Sequence, residues 1–391
     1  MHFLTSYAGA LLNRDDAGLA KRLTYGGAVR TRVSSQCLKR HWRATVDTWS
    51  LAETGAALSV RSRQVFEYAI RPRLVEGAPL VKGEILDAAG AVLSRLLYGE
   101  KSDDVRKRQA LLFGWREVDF VSSQLLAVVS SAATPNDAAN AVEALFKKKG
   151  SKGNWALIRE SSGALAAGLE SALFGRMVTS DPAANTDAAL HVAHAFTVHE
   201  QESETDYFTV VDDLKLREQD QDSGSAGIFD TELTSGLYYG YVVVDVPLLV
   251  ANISGVRPEQ WNSPATDRAL PAKVIEHLVH LIATVSPGAK KGSTAPYSFA
   301  STLLLEAGSR QPRSLASAFE QPVRPSNGVA VSKSAETAMF GRVRTIDRVY
   351  GPDETRRFLS LTSDTEEGVG SAVSLAALAE WAAECVRSAS A

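Results

Sequence analysis

Two regions with the period-two pattern of strands lie on either side of a long helical block, and this interruption restricts the fold more than any other feature. Residues 3–8 and the VRTRV run at 29–33 alternate in the manner of strands. Ser34-Ser35 then supplies a helix N-cap, and Leu38, Trp42 and Val46 recur at i, i+4 and i+8 on one helix face. Across residues 51–187 the texture becomes Ala/Leu-rich with helical spacing, as in EILDAAGAVLSRLL and NDAANAVEALFKKK. Strand signals return at 188–198 (AALHVAHAFTV). GLYYGYVVVDV alternates again after an acidic, Gly/Ser-bearing excursion over 200–227. Strand, polar excursion and second strand together predict a projecting hairpin. Beyond it, 257–285 reads as helical, 294–305 as extended, and 332–350 and 372–386 as closing helices. The order predicts an α+β chain with one mixed core split by a helical insertion.

Composition narrows the function classes. A chain of 391 residues allows a few domain-sized units or one core with large insertions, and 45% hydrophobic residues exclude wholesale disorder. The net charge of −3, from 42 basic and 45 acidic residues, argues against a histone-like binder but leaves room for a local basic groove. Cys37 and Cys385 are too few for a disulfide framework or a four-Cys zinc site and fit a reducing cytoplasm. The longest apolar run, 236–253, is broken by Asp245 and Pro247, so no membrane span is expected. The amino terminus lacks the basic start of a secretion signal, and a cytoplasmic location is expected. No Gly-rich phosphate loop runs into Lys-Ser/Thr, which leaves NTP hydrolysis without support.

Charge placement points to chemistry. Residues 17–46 contain no acid, yet Lys21, Arg22, Arg30, Arg32, Lys39, Arg40 and Arg43 all fall there. Arg30 and Arg32 lie two apart on a predicted strand and share a face. Lys39 and Arg43 lie four apart on the following helix and also share one. Ser34 and Ser35 stand between them, where helix N-terminal amides favour an anion, and Gly26-Gly27 permits close backbone approach. Such a track suits several consecutive phosphates, as a nucleic-acid backbone presents them. The bland alternative is a solvated basic face paired with acidic loops.

With these residues in view, the chain resembles a known family. Leu12-Asn13-Arg14-Asp15-Asp16, Gly26-Gly27, Arg30-Thr31-Arg32-Val33-Ser34-Ser35-Gln36 and Leu38-Lys39-Arg40 carry the likeness. It continues through Gly175-Arg176-Met177-Val178-Thr179-Ser180, Ala193-His194-Ala195, residues 207–214, Ser235-Gly236-Leu237-Tyr238-Tyr239 and Pro287-Gly288-Ala289-Lys290. These blocks are similar, in order, to CasC, the guide-RNA-binding backbone subunit of the type I-E CRISPR Cascade complex. Residues 51–170 and the C-terminal stretch resemble it mainly in pattern.

The resemblance implies an RRM-like (ferredoxin-like) palm from residues 1–50, 188–199 and 237–391, helical fingers at 51–187 and a β-hairpin thumb at 200–236. It implies a filament of copies along crRNA, beside other Cascade subunits. Each thumb would kink the guide and leave the intervening bases to pair with target DNA, so that base pairing reads sequence. Lys21, Ser34, Gln36, Lys39, Arg40 and Arg43 would contact guide phosphates and sugars. Met177 would wedge against bases, and Thr231 would lie near the kinked nucleotide. Arg30 and Arg32 join this RNA-binding set from the charge track. No catalytic residue, cofactor or metal is expected. The thumb loop KLREQDQDSGSAGIFD is long and acidic, a departure from the family pattern.

Other features have competing readings. His191 and His199 share a strand face while His194 points away, which argues for packing over a common metal site. Asp15-Asp16 and Asp212-Asp213 are open to a rival reading, a metal-dependent endoribonuclease on the same scaffold. Adjacent carboxylates on a strand point apart, however, so turn capping or ion pairing is the expectation. Lys147, Lys148 and Lys149 form either a solvated helix end or a sequence-independent DNA contact. Lys290, in the Gly-flanked PGAKKGS loop, is a further candidate for RNA.

Overall fold

Alternation in β1 (His2–Ala10) organises the larger of two units in the computed structural model, which describes residues 1–99, 103–146, 153–163, 165–211, 225–325 and 328–389. Leu4 points to one face, where it packs with Leu304, Met339, Phe340 and Phe358. Phe3, Thr5 and Tyr7 point to the other, beneath Leu38, Trp42 and Ile282. Both faces of the sheet are therefore covered by helices. Each fully buried side chain of this kind contributes about 1.5–3 kcal/mol over leaving it exposed. Gly240 stands opposite Phe3, where any Cβ would lie 1.9 Å from the ring.

This unit comprises Met1–Ser50, Val192–Val243 and Ile275–Ala391. Its antiparallel sheet runs in the order Thr355–Ser360, Ala300–Ala307, β1, Ser225–Val244, Ala195–Thr197, β3 (Ala28–Val33) and β2 (Arg22–Tyr25). The strand Ser225–Val244 serves two structures. Gly236 to Tyr241 pair with Tyr7 to His2 inside the sheet, whereas Ile228 to Ser235 pair with Thr209 to Glu202 as a two-stranded ribbon.

The second unit comprises Leu51–His191 and Val244–Val274. Helices Gly83–Tyr98, Trp115–Ser131, Pro135–Leu145 and Asn154–Ser161 surround Leu74, Leu93, Leu125, Val129, Val142 and Trp155. Thr134 caps the third of these helices reciprocally with Asp137, and Pro135 occupies its first turn. Gly90 lets its helix approach Phe66, since a Cβ there would lie 2.1 Å from the ring.

Several element boundaries differ from the sequence reading. The helix after β3, α1 (Ser35–Ala44), ends because Thr45 turns extended, and Val46 is left 96% exposed. The continuous strand predicted over 188–198 is two short strands, Leu190–Val192 and Ala195–Thr197. The helix predicted over 257–285 is a short 3-10 turn, Pro258–Gln260, followed by Ala269–Thr284.

Candidate nucleic-acid interface

The β2–β3 hairpin closes through two glycines with left-handed backbones, Gly26 at φ 60° and Gly27 at φ 76°. Paired positive φ values match the twist of a two-residue hairpin. The close approach at Gly26 is internal, because a Cβ there would lie 1.5 Å from the Glu320 carbonyl oxygen.

Arg30 corrects the expectation of a shared solvent face with Arg32. It is fully buried, and its guanidinium donates to the carbonyls of Thr197, His199, Phe319 and Glu320 at 2.9–3.4 Å. Five donors in a rigid fork suit that fan of acceptors. Arg30 is an internal brace and presents no cation to solvent. Arg32 is half-buried and lines an open groove with Lys21, Arg22, Ala20, Asp15 and Asp16. Asp15 is a turn residue, its Oδ1 accepting the amides of Ala17 and Leu19.

Helix α1 starts at that groove. Ser34 is a buried N-cap whose hydroxyl accepts the Cys37 amide, while its own amide donates to Asn13 Oδ1. The cap uses one lone pair of that oxygen and leaves its O–H as a donor. Leu38 and Trp42 bury one stripe of α1. Gln36, Lys39, Arg40 and Arg43 recur at i, i+3, i+4 and i+7 on a polar stripe, with Gln36 and Arg40 exposed and the other two half-buried. Burial lowers the Lys39 pKa. His194 Nδ1 accepts the Ser35 amide at 3.2 Å and lies 3.4 Å from Arg32 Nη1. Burial, then Arg32 and Lys21, push its pKa down, which favours a neutral imidazole with the remaining proton on Nε2.

The ribbon adds a second element. Thr231 is half-buried opposite Asp206. Glu232, which the sequence reading did not single out, accepts the Ala20 amide at 2.7 Å and the Arg22 guanidinium. Thr234 donates to the Ala10 carbonyl. Phe208 and Phe229 stack across the ribbon at 5.5 Å, and Lys290 Nζ lies 5.2 Å from the Phe208 ring centroid. Asp212, Asp213 and much of the acidic loop lie outside the described residues, as do Lys147, Lys148 and Lys149.

Within the helical unit, Met177 is 65% exposed on a backbone held from three sides. Gln109 Nε2 donates to its carbonyl, the Val178 amide donates to Asn185 Oδ1, and Arg176 is buried in an ion pair with Glu117 at 2.7 Å. Arg176 also lies over the Trp155 ring. Its neighbour is thus an exposed apolar side chain on a fixed mount. Nothing in the sequence linked Gln109 or Glu117 to position 177, because the pairings span loops.

The three histidines are apart in role. His199 is buried with Nε2 accepting the Leu237 amide, while His191 contacts the Ala188 carbonyl. Among the described residues no group of three His, Cys, Asp or Glu is placed to hold a metal ion, and no helix is long and apolar enough to cross a membrane.

The sequence profile of the CT1975-like protein family matches residues 1–383. In fold the chain is similar to a solved chain of a "CRISPR RNA-guided surveillance complex, pre-nicking", with TM-score 0.76, 26% identity and 98% of each chain covered. A chain of a "CRISPR RNA-guided surveillance complex" is similar in fold at TM-score 0.64 and 21% identity, again with 98% of each covered. No curated protein compared matches by sequence.

Proposed function

The chain belongs to the CT1975-like protein family, and from that premise we propose that it is the crRNA-binding backbone subunit of a type I-E Cascade complex, as the CasC resemblance implies. In this reading it is a non-catalytic cytoplasmic subunit that stacks with copies of itself along the guide. It does so beside other Cascade subunits and leaves bases free for target DNA. The observation that carries the reading is the polar stripe of α1, with Gln36, Lys39, Arg40 and Arg43 on one face beside the groove of Lys21 and Arg32. Helices cover both sheet faces, so contact through this helix and groove is more accessible than stacking on the sheet. The antiparallel centre with β1 inside it supports an RRM-like palm. The exposed Met177 supports a wedge between bases, and the ribbon bearing Thr231 supports a thumb.

Replacing Lys39 and Arg43 together with alanine tests the track. The slope of log affinity against log salt is expected to flatten by about 0.7 for each phosphate no longer neutralised. An unchanged slope would show that α1 is not the track. The absence of catalysis is tested by incubating the assembled complex with complementary RNA and Mg²⁺ or Mn²⁺. Regular cleavage that Asp15→Ala abolishes would overturn it.

A further inference from the structure

A second acid-free stretch runs from residue 277 to 305 and contains Lys290, Lys291, Tyr297 and Phe299. Its loop is fixed at the base. The Ser286 hydroxyl donates to the Ser298 carbonyl and accepts the Ser298 amide, both at 2.9 Å. Gly288 leaves room for Pro296 and Lys291, since a Cβ there would lie 2.7 Å from Pro296. From Pro296 to Ala300 burial alternates: Pro296 and Ala300 are buried, whereas Tyr297 and Phe299 are 71% and 68% exposed. Two large aromatic rings therefore share the outward face of an extended segment leading into the strand Ala300–Ala307. Residues two apart in an extended chain are separated by roughly 6.6 Å. That is about two base-stacking distances of ~3.4 Å, the thickness of one base held between two rings. Lys290 is held against Phe208, which ties the loop to the ribbon, while Lys291 is exposed.

We propose that this loop is a further contact for single-stranded nucleic acid, with one base held between Tyr297 and Phe299 and the adjoining phosphate met by Lys291. Aromatic faces give sequence-tolerant stacking and the lysine supplies the charge, the combination that single strands require. Lys290 and Lys291, in a stretch of chain with no acidic residue of its own, favour this occupant over an apolar protein surface. The site does not depend on the α1 track, so either can fail without the other.

The test uses the full chain with short oligouridylate and oligothymidylate at low salt. Anisotropy titrations are paired with photocrosslinking of bromouracil-substituted strands. Crosslinks should map to the peptide carrying Tyr297 and Phe299. Tyr297→Ala with Phe299→Ala should weaken binding at least ~tenfold with an unchanged Tm, and Tyr297→Phe should restore most of it. Loss in the RNA arm alone or the DNA arm alone would support the site and identify its strand. Unchanged affinity in both arms, or crosslinks confined to α1, would overturn it. Loss of self-association with oligonucleotide binding intact would also overturn it and assign the rings to a protein contact. If the double variant misfolds, Tyr297→Ser alone and the crosslink map give the same decision.

Discussion

Arg22 is ion-paired to Glu232 at 2.5 Å, and the other oxygen of that carboxylate takes the Ala20 amide. One buried carboxylate at the root of the ribbon thus fixes the start of the basic hairpin.

Glu232→Ala should therefore cost more than Arg22→Ala. The first leaves a buried amide without an acceptor, at about 1–3 kcal/mol. The second removes a half-exposed cation but leaves the carboxylate its donors from Ala20 and Gln201, at about 1 kcal/mol. Urea unfolding of both variants checks the order, and equal losses would refute this account of the ribbon root.

Arg30→Lys should lower stability by about 3 kcal/mol or more, because an ammonium cannot reach a fan of four carbonyls. Its salt slope for RNA binding should match that of the unmodified chain. A flatter slope with an unchanged Tm would return Arg30 to the solvent-facing track.

Acid should loosen the larger unit through His2. This imidazole is buried between Tyr239 and Glu306, with its pKa lowered to about 4, chiefly by burial. Between that value and the ordinary 6.5 the unfolded chain binds the proton and the folded chain does not, so stability falls as pH drops through this window. The full effect is on the order of 3 kcal/mol. His2→Gln should flatten the pH dependence of unfolding there, and an unchanged profile would exclude His2 as its source.

Replacing residues 206–230 with a short Gly-Ser turn, while keeping Glu232, should leave the melting temperature nearly unchanged. The exposed ribbon buries little at home. The same change should abolish RNA-dependent stacking of copies, read by size-exclusion chromatography with guide RNA. A variant that still assembles would remove the thumb from the proposed mechanism.

What could be read from residues alone followed from local rules. Ser34, Leu38 and Trp42 announced α1, and the helix predicted over 332–350 is Val331–Tyr350. The parity of Arg30 and Arg32 was also legible, but the fate of each was not. Carbonyls from residues 197–199 and 319–320 enclose Arg30, and no local pattern encodes that return of the chain. Glu232 was hidden for the same reason, since Ala20 and Arg22, which it holds, lie more than two hundred positions away. Val46 misled because period and polarity continue past the point where Thr45 leaves the helix. In the candidate site, the cationic stripe on α1 was readable, whereas the mounts under Met177 and the loop of Tyr297 depend on tertiary contacts.

The strand Ser225–Val244 gives the ribbon a mechanical character. With no joint between its inner and outer halves, a tug on the outer half travels along continuous backbone into the centre of the sheet. There Gly236 to Tyr241 are bonded to β1 over six consecutive positions. A pull along the strand loads those bonds together, in shear, so none can be peeled away first. The lever is anchored inside the sheet, between β1 and the strand Ala195–Thr197.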